Sequence, residues 1–167
     1  MPVLPVVSVI LERYHQKQER AMPTIEQKIL INAPVEKVYA LIANASNWTE
    51  YVTSLTDVTN LSSPGLEPGT TYDWEYRMLG VKLSGTGIVT ENEYRKSFAM
   101  RMEGTIPMTE RYTMQEVDGG TELAIAINYQ MPGKVLEKIA NSKLVEKLNK
   151  REGENVLAKI KLLCEEL

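Results

Sequence analysis

The sequence predicts an α+β fold in which a curved antiparallel β-sheet wraps around one long C-terminal α-helix. Three observations predict it. Residues 133–167 carry apolar side chains at helical three-and-four spacing, residues 24–31 and 54–131 alternate strand-like runs with turn signals, and two short helical patterns follow the first of these runs. A helix with a single apolar face is stable mainly through packing, so we expect the sheet to cover that face.

The first 22 residues lie outside this pattern, and we interpret them as an N-terminal extension before a domain of residues 23–167. Val3–Leu11 is apolar, but it lacks a basic n-region and a cleavage site and is too short to span a bilayer. We therefore expect neither export nor a membrane span. The apolar residues of 7–14 share one helical face, which favours a short helix that packs on the domain or on the second subunit of a homodimer. The alternative is a poorly ordered extension.

The elements that follow are a strand and two short helices. Residues 24–31 (TIEQKILI) have the composition of a strand, and Pro34 suits the first turn of a helix whose apolar residues span 35–42. A second short helix is expected to carry Trp48 and Tyr51. These two aromatic side chains either close the mouth of a cavity or anchor the small helix, and the sequence leaves both interpretations open.

Turn signals divide residues 54–131 into strands and predict how the strands pair. An Asp-Gly turn at 118–119 pairs the last two strands. A three-residue loop at 104–106 then sets Phe98 opposite Tyr112. Because successive side chains of a strand point to opposite faces, this register also assigns the alternate residues of each strand to one side.

An earlier turn at residues 79–80 predicts strong curvature of the sheet. It sets Trp74 across from Gly85 and Tyr72 across from Gly87, so that two large rings lie over two glycines. Glycine inside a strand marks a bend or a close approach, and an aromatic ring opposite it covers the gap. We therefore expect the sheet to curl around whatever lies on its aromatic side.

The inward face that this register predicts is aromatic and rich in methionine, whereas the opposite face is polar. Methionine is common at adaptable binding surfaces, and a buried tyrosine needs a partner for its hydroxyl group. Both features favour a ligand cavity between the sheet and the C-terminal helix; a filled core is the alternative interpretation. The predicted ligand-binding residues are Trp48, Tyr51, Tyr72, Trp74, Tyr76, Phe98, Met100, Met108, Glu110, Tyr112, Met114, Tyr129 and Ile139.

Glu110 is the acidic member of this predicted set. The register places it mid-strand on the inward side, where loss of hydration should raise the pKa of its carboxyl group. Such a group can act as a general acid or base, or bind a polar group of a ligand. The alternatives are a structural pairing with a tyrosine hydroxyl or with Lys96, and a bulge that turns Glu110 outward. Glu110 is a candidate only, and we assign no catalytic residue.

The composition and charge of the chain argue against several classes of protein. The chain has 167 residues, 25% of them charged, and a net charge of −3, which suits one domain with a full core and lacks the basic footprint of a nucleic-acid binder. Its one cysteine, Cys164, excludes an internal disulfide framework and favours a reducing, cytoplasmic location. Its one histidine, His15, is far from Cys164 in the sequence, so we expect no metal site, and we expect no cofactor.

Residues 29–52 (ILINAPVEKVYALIANASNWTEYV) resemble the opening of the START-like or SRPBCC superfamily. The matching features are an apolar strand, then Ala33-Pro34-Val35, an aromatic residue at Tyr39, and Trp48 in the second helix. This superfamily has the helix-grip fold, shared with Bet v 1-like and polyketide cyclase/dehydrase-like proteins. The predicted strand order and the terminal helix also match, and the resemblance covers residues 23–167.

The resemblance implies several functions, because members of the superfamily carry lipids, hormones or aromatic polyketides, act as cyclases, or assist other proteins, without a shared catalytic motif. The leading hypothesis is a non-catalytic carrier or sensor of a small, mostly hydrophobic molecule. One alternative is a polyketide cyclase/dehydrase-like enzyme with Glu110 as acid/base. Another is a co-chaperone-like or assembly partner that uses the outside of the sheet.

Overall fold

The computed structural model describes residues 24–130 and 142–166. The predicted N-terminal extension, with its short helix and homodimer contact, and the predicted ligand contact at Ile139 lie outside these residues. The strands are β1 (Thr24–Ile31), β2 (Leu55–Thr59), β3 (Thr71–Met78), β4 (Val81–Glu93), β5 (Ser97–Gly104), β6 (Met108–Val117) and β7 (Gly120–Tyr129). The helices are α1 (Val35–Ile42), a short 3-10 helix (Ala45–Asn47), α2 (Trp48–Tyr51) and α3 (Ser142–Glu165).

The seven described strands form one sheet in the order β1-β7-β6-β5-β4-β3-β2, and every neighbouring pair is antiparallel. Consecutive strands from β2 to β7 are neighbours, and β1 completes the sheet beside β7. The sheet curves, and α3 packs against its β1 and β7 side and against α1 and α2. The predicted α+β helix-grip architecture is therefore confirmed.

The predicted strand register is also confirmed. Phe98 lies opposite Tyr112, and the turns at residues 79–80 and 118–119 are the ones that the sequence predicts. The predicted three-residue loop is displaced by one position, because Gly104 still pairs with β4 and the connection to β6 comprises residues 105–107. The Cα partners along β5 and β6 are unchanged by this displacement.

The curvature of the sheet arises at two glycines of β4, Gly85 and Gly87. A Cβ atom at Gly87 would lie 2.2 Å from Cζ of the Tyr72 ring, and one at Gly85 would lie 1.8 Å from the carbonyl oxygen of Glu103. Neither position has room for a methyl group, since atoms that are not bonded do not approach so closely. A register shift between Val89 and Glu91 further bends β4 against β5. Close approach at these glycines lets the sheet fold over its concave face.

Helix α3 covers only part of that concave face. Its buried side chains include Val156, Leu157, Ile160 and Cys164, in the spacing of a single apolar stripe. Gly153 is buried as well, and a Cβ atom there would lie 3.3 Å from Oε1 of Gln27 on β1, so the missing side chain lets the helix approach the strand. Within the described parts of the chain, no helix is long and apolar enough to cross a membrane.

Gly87→Ala should lower the free energy of unfolding by about 1–3 kcal/mol, because the added methyl group displaces the Tyr72 ring. Urea denaturation measures the difference. In a Tyr72→Leu background the same substitution should cost less, since leucine lacks the ring atoms that the methyl group would meet. Thr86→Ala, at an exposed position of the same strand, should change stability by less than about 0.5 kcal/mol. An equal cost of Gly87→Ala in both backgrounds would contradict this packing.

Candidate functional site

A cavity of about 70 Å³ lies between the concave face of the sheet and α3. Strands β3, β6 and β7 supply most of its wall, and α3 supplies the opposite side. Most of the side chains around it are apolar or aromatic. The described residues that line it are Ile25, Val52, Ser54, Trp74, Tyr76, Met78, Leu83, Ile106, Met108, Glu110, Ile127, Tyr129, Asn149, Glu152 and Val156.

The outer part of this cavity reaches the protein surface. Tyr76, Met78 and Met108 are half-buried, as are Asn149 and Glu152 on α3, so these five lining residues also contact solvent. Methionine side chains have three rotatable bonds and adapt to irregular shapes. The rim of the cavity can therefore change shape without movement of the strands.

A second, smaller recess of about 10 Å³ lies deeper on the concave face. It has room for about one water molecule. Trp74, Tyr76 and Glu110 line both spaces, so the recess continues the cavity inward. Tyrosine is the commonest residue type in its wall. The described residues that line the recess are Trp48, Tyr51, Val52, Leu55, Tyr72, Trp74, Tyr76, Met100, Met102, Glu110 and Tyr112.

Glu110 lies where the two spaces meet. Only 6% of the residue is exposed, and its Oε1 accepts a hydrogen bond of 2.5 Å from the hydroxyl group of Tyr112. Burial raises the pKa of the Glu110 carboxyl group, the hydrogen bond from Tyr112 lowers it in part, and the nearby charge of Glu152 raises it further. Burial is the largest of these effects, so Glu110 keeps its proton to a higher pH than an exposed glutamate does.

The tyrosines around Glu110 supply hydroxyl donors. The Tyr72 hydroxyl contacts Sδ of Met100 at 2.9 Å, a weak acceptor, whereas the buried Tyr51 hydroxyl has no hydrogen-bond partner in the described part of the chain. Burial, followed by the neighbouring charge of Glu110, raises the pKa of Tyr51 and of Tyr72 above the ordinary tyrosine value. Both groups are protonated at neutral pH, and Tyr51 has a donor left for a further acceptor.

At the rim, Glu152 connects α3 to the loop before β2. Its Oε1 accepts a hydrogen bond of 3.0 Å from the backbone N–H of Ser54. Glu152 is absent from the site residues predicted from the sequence, because the apolar stripe of this helix does not include it. The three-and-four spacing of Asn149, Glu152 and Val156 predicts that they share one side of the helix, but it does not predict that this side faces the cavity.

The predicted site residues fall into three groups. The cavity is lined by Trp74, Tyr76, Met108, Glu110 and Tyr129. Trp74, Tyr76 and Glu110 also line the recess. The recess is also lined by Trp48, Tyr51, Tyr72, Met100 and Tyr112.

Two predicted site residues, Phe98 and Met114, are buried in the core and line neither space. Trp48 donates its indole N–H to the carbonyl oxygen of Ile42 at 2.9 Å, a contact suited to anchoring the short helix. The described residues contain no group of three or more His, Cys, Asp or Glu side chains placed to share a metal ion.

Solved structures with the same fold include three that align over most of this chain. The protein TTHA0849 from Thermus thermophilus has a TM-score of 0.70 at 19% identity, with 83% of this chain and 94% of that chain covered. The Zhui aromatase/cyclase from Streptomyces sp. R1128 has a TM-score of 0.71 at 15% identity, with 86% and 94% covered. Ara h 8.0201 has a TM-score of 0.61 at 10% identity, with 87% and 99% covered.

At these identities the structures show a shared fold. No curated protein matches the sequence. Residues 22–165 match the family described as polyketide cyclase / dehydrase and lipid transport, which is nearly the whole chain. The chain therefore belongs to the polyketide cyclase / dehydrase and lipid transport family of the START-like, Bet v 1-like superfamily.

Proposed function

We propose that the protein binds a small, mostly hydrophobic molecule, a lipid or an aromatic polyketide-like compound, in the cavity between the sheet and α3, and acts as a non-catalytic carrier or sensor. One observation carries the proposal: an apolar cavity runs from the surface to a buried polar end at Glu110. Binding sites for small molecules usually combine apolar walls with a few convergent polar groups.

The unpartnered hydroxyl of Tyr51 also supports the proposal. A buried donor without an acceptor costs roughly 1–3 kcal/mol, and a filled core would remove that cost by placing an apolar side chain there. A ligand oxygen or a water molecule in the recess would supply the missing acceptor. A filled interior would have favoured the assembly-partner alternative, and the interior contains a cavity and a recess.

The size of the cavity sets a condition on binding. Its volume of about 70 Å³ is well below the roughly 300–1,000 Å³ of most ligand sites. A lipid or a polycyclic ligand therefore requires the rim to open. The half-buried side chains of Met78 and Met108 can provide this space by changing rotamer, because methionine has little conformational preference to overcome.

Met108→Trp should weaken binding of N-phenyl-1-naphthylamine, an uncharged apolar fluorophore, by at least tenfold, because the indole group fills the rim of the cavity. Fluorescence titration measures the affinity. Thr113→Trp places the same side chain at an exposed position of β6 and should leave the affinity unchanged. Failure of the unmodified protein to bind the fluorophore, or equal affinity in both variants, would contradict the proposed function.

A second candidate function is an acid/base enzyme of the cyclase/dehydrase type. It is favoured by the position of Glu110, which combines a raised pKa, a 2.5 Å hydrogen bond from Tyr112 and access to both spaces. A general acid or base works best when its pKa is near the working pH. In this candidate, Glu110 moves the proton of an enolisable substrate, and the hydroxyl of Tyr51 donates to the substrate carbonyl oxygen.

If this second candidate is right, the protein should accelerate deuterium incorporation α to the carbonyl group of 4-phenylbutan-2-one in D₂O. Glu110→Gln should reduce that acceleration by about a hundredfold or more, since a neutral amide cannot accept the α-proton as a general base. NMR follows the exchange, and fluorophore titration of the variant checks that the cavity still binds. No acceleration by the unmodified protein would exclude this enzyme candidate and leave the carrier proposal standing.

The pH dependence of stability should reveal the protonation of Glu110. Because its pKa is raised in the folded state, the folded protein holds this proton more tightly than the unfolded chain does. The resulting stabilisation is complete below the unfolded pKa and is lost as pH rises through the folded pKa, with a slope of at most about 1.4 kcal/mol per pH unit.

Urea denaturation between about pH 4 and pH 8 should show this loss in the unmodified protein and its absence in Glu110→Gln. Taking the difference between the two proteins cancels the other titrating groups. Glu26→Gln, at an exposed position of β1, serves as the control and should retain the slope of the unmodified protein. Parallel curves for the unmodified protein and Glu110→Gln would contradict a raised pKa at Glu110.

A further inference from the structure

The carboxyl groups of the cavity have no basic side chain beside them in its described lining. These carboxyl groups belong to Glu110 at the inner end and Glu152 at the rim. The remaining described lining residues are apolar, aromatic or neutral polar. Burial of Glu110 is costly unless something compensates its charge, and Tyr112 supplies one neutral donor.

The aromatic wall is suited to the same kind of ligand. Trp74 and Tyr76 pack edge to face with ring centroids 5.4 Å apart, and both line the cavity beside Glu110. The electron-rich faces of tryptophan and tyrosine attract cations, and the attraction grows when water is excluded. Acidic groups and aromatic rings therefore converge on one space.

We propose that the ligand of this cavity is a hydrophobic amine, whose ammonium group lies between Glu110 and Glu152 beside the rings of Trp74 and Tyr76. This inference rests on the proposed binding function and specifies the chemical class of the ligand. The apolar part of the ligand contacts the outer wall, which includes Met108 and Ile127.

Other head groups fit the charges less well. A carboxylate or phosphate would lose its hydration beside two acidic groups, and no cationic side chain is present among the described lining residues to compensate it. A neutral alcohol or ketone would form ordinary hydrogen bonds with Glu110 or Tyr51. An ammonium group would form charge-assisted hydrogen bonds, which are roughly twice as strong.

The proposal couples binding to proton release. An ammonium group next to Glu110 favours its ionised form, so a proton held by Glu110 in the empty protein leaves when the amine binds. Affinity for the amine therefore rises with pH through the titration of Glu110, as long as the amine stays protonated. Tyr112 and Glu152 act on the pKa of the Glu110 carboxyl group, and the charge of Glu110 in turn raises the pKa of Tyr51, Tyr72, Tyr76 and Tyr112.

Calorimetric titration with benzylamine, benzyl alcohol and benzoate tests the proposal, because the three compounds share one ring and differ in head group. At about pH 7 we expect benzylamine to bind at least tenfold more tightly than benzyl alcohol, and benzoate to bind most weakly. Glu110→Gln should reduce benzylamine affinity to that of the alcohol. Glu152→Gln should reduce it as well, whereas Glu154→Gln, at an exposed position of the same helix, should not.

Titration of benzylamine in two buffers of different ionisation enthalpy measures the released proton and needs no variant, so the test survives if Glu110→Gln does not fold. Equal or tighter binding of benzyl alcohol, or no proton release, overturns the amine proposal. In that case fluorophore binding in the cavity leaves the carrier function intact. If neither the three compounds nor N-phenyl-1-naphthylamine bind, the amine proposal and the carrier function are both overturned.

Discussion

One helix, α3, is too small to cover the whole concave face of the curled seven-stranded sheet, and the rest of this structure depends on that difference in size. Close approach at Gly85 and Gly87 folds the sheet over its concave face. The described helix α3 then packs against the β1 and β7 side, together with α1 and α2, and leaves the β3 side to aromatic side chains. Rings and methionines line that space without filling it completely. The cavity follows from this incomplete filling.

The polar groups at the inner end of the cavity are unfavourable for stability. Glu110 is buried with a raised pKa, and the Tyr51 hydroxyl has no partner among the described residues. An apolar pair at these two positions would remove both costs, because burial of an unsatisfied polar group is more expensive than burial of a hydrocarbon. Costs of this kind concentrate at functional sites, where a ligand compensates them. The same two residues therefore support a binding function more strongly than the volume of the cavity does.

Sequence patterns predicted the fold and the direction of side chains, but not the extent of the site. Turn chemistry at residues 79–80 and 118–119 set the strand register, and the period of two then turned Glu110 inward. The same period also turned Phe98 and Met114 inward, where other side chains cover them. Which part of the concave face stays open depends on where α3 crosses the sheet. That crossing is a long-range contact, so Glu152 could not be placed beside Glu110 from local spacing alone.

The ligand class decides which chemistry Glu110 can perform. An ammonium group beside this carboxyl group stabilises the ionised form, which can accept a proton but cannot donate one. With a neutral ligand, burial remains the largest effect on the pKa of Glu110. Glu110 then stays protonated to a higher pH and can donate to a carbonyl or hydroxyl oxygen. A carrier can function with Glu110 ionised or protonated, whereas a general acid requires the protonated form. A cavity that binds amines is therefore a poor site for general-acid chemistry at Glu110. Within one complex, amine binding and general-acid catalysis by Glu110 exclude each other.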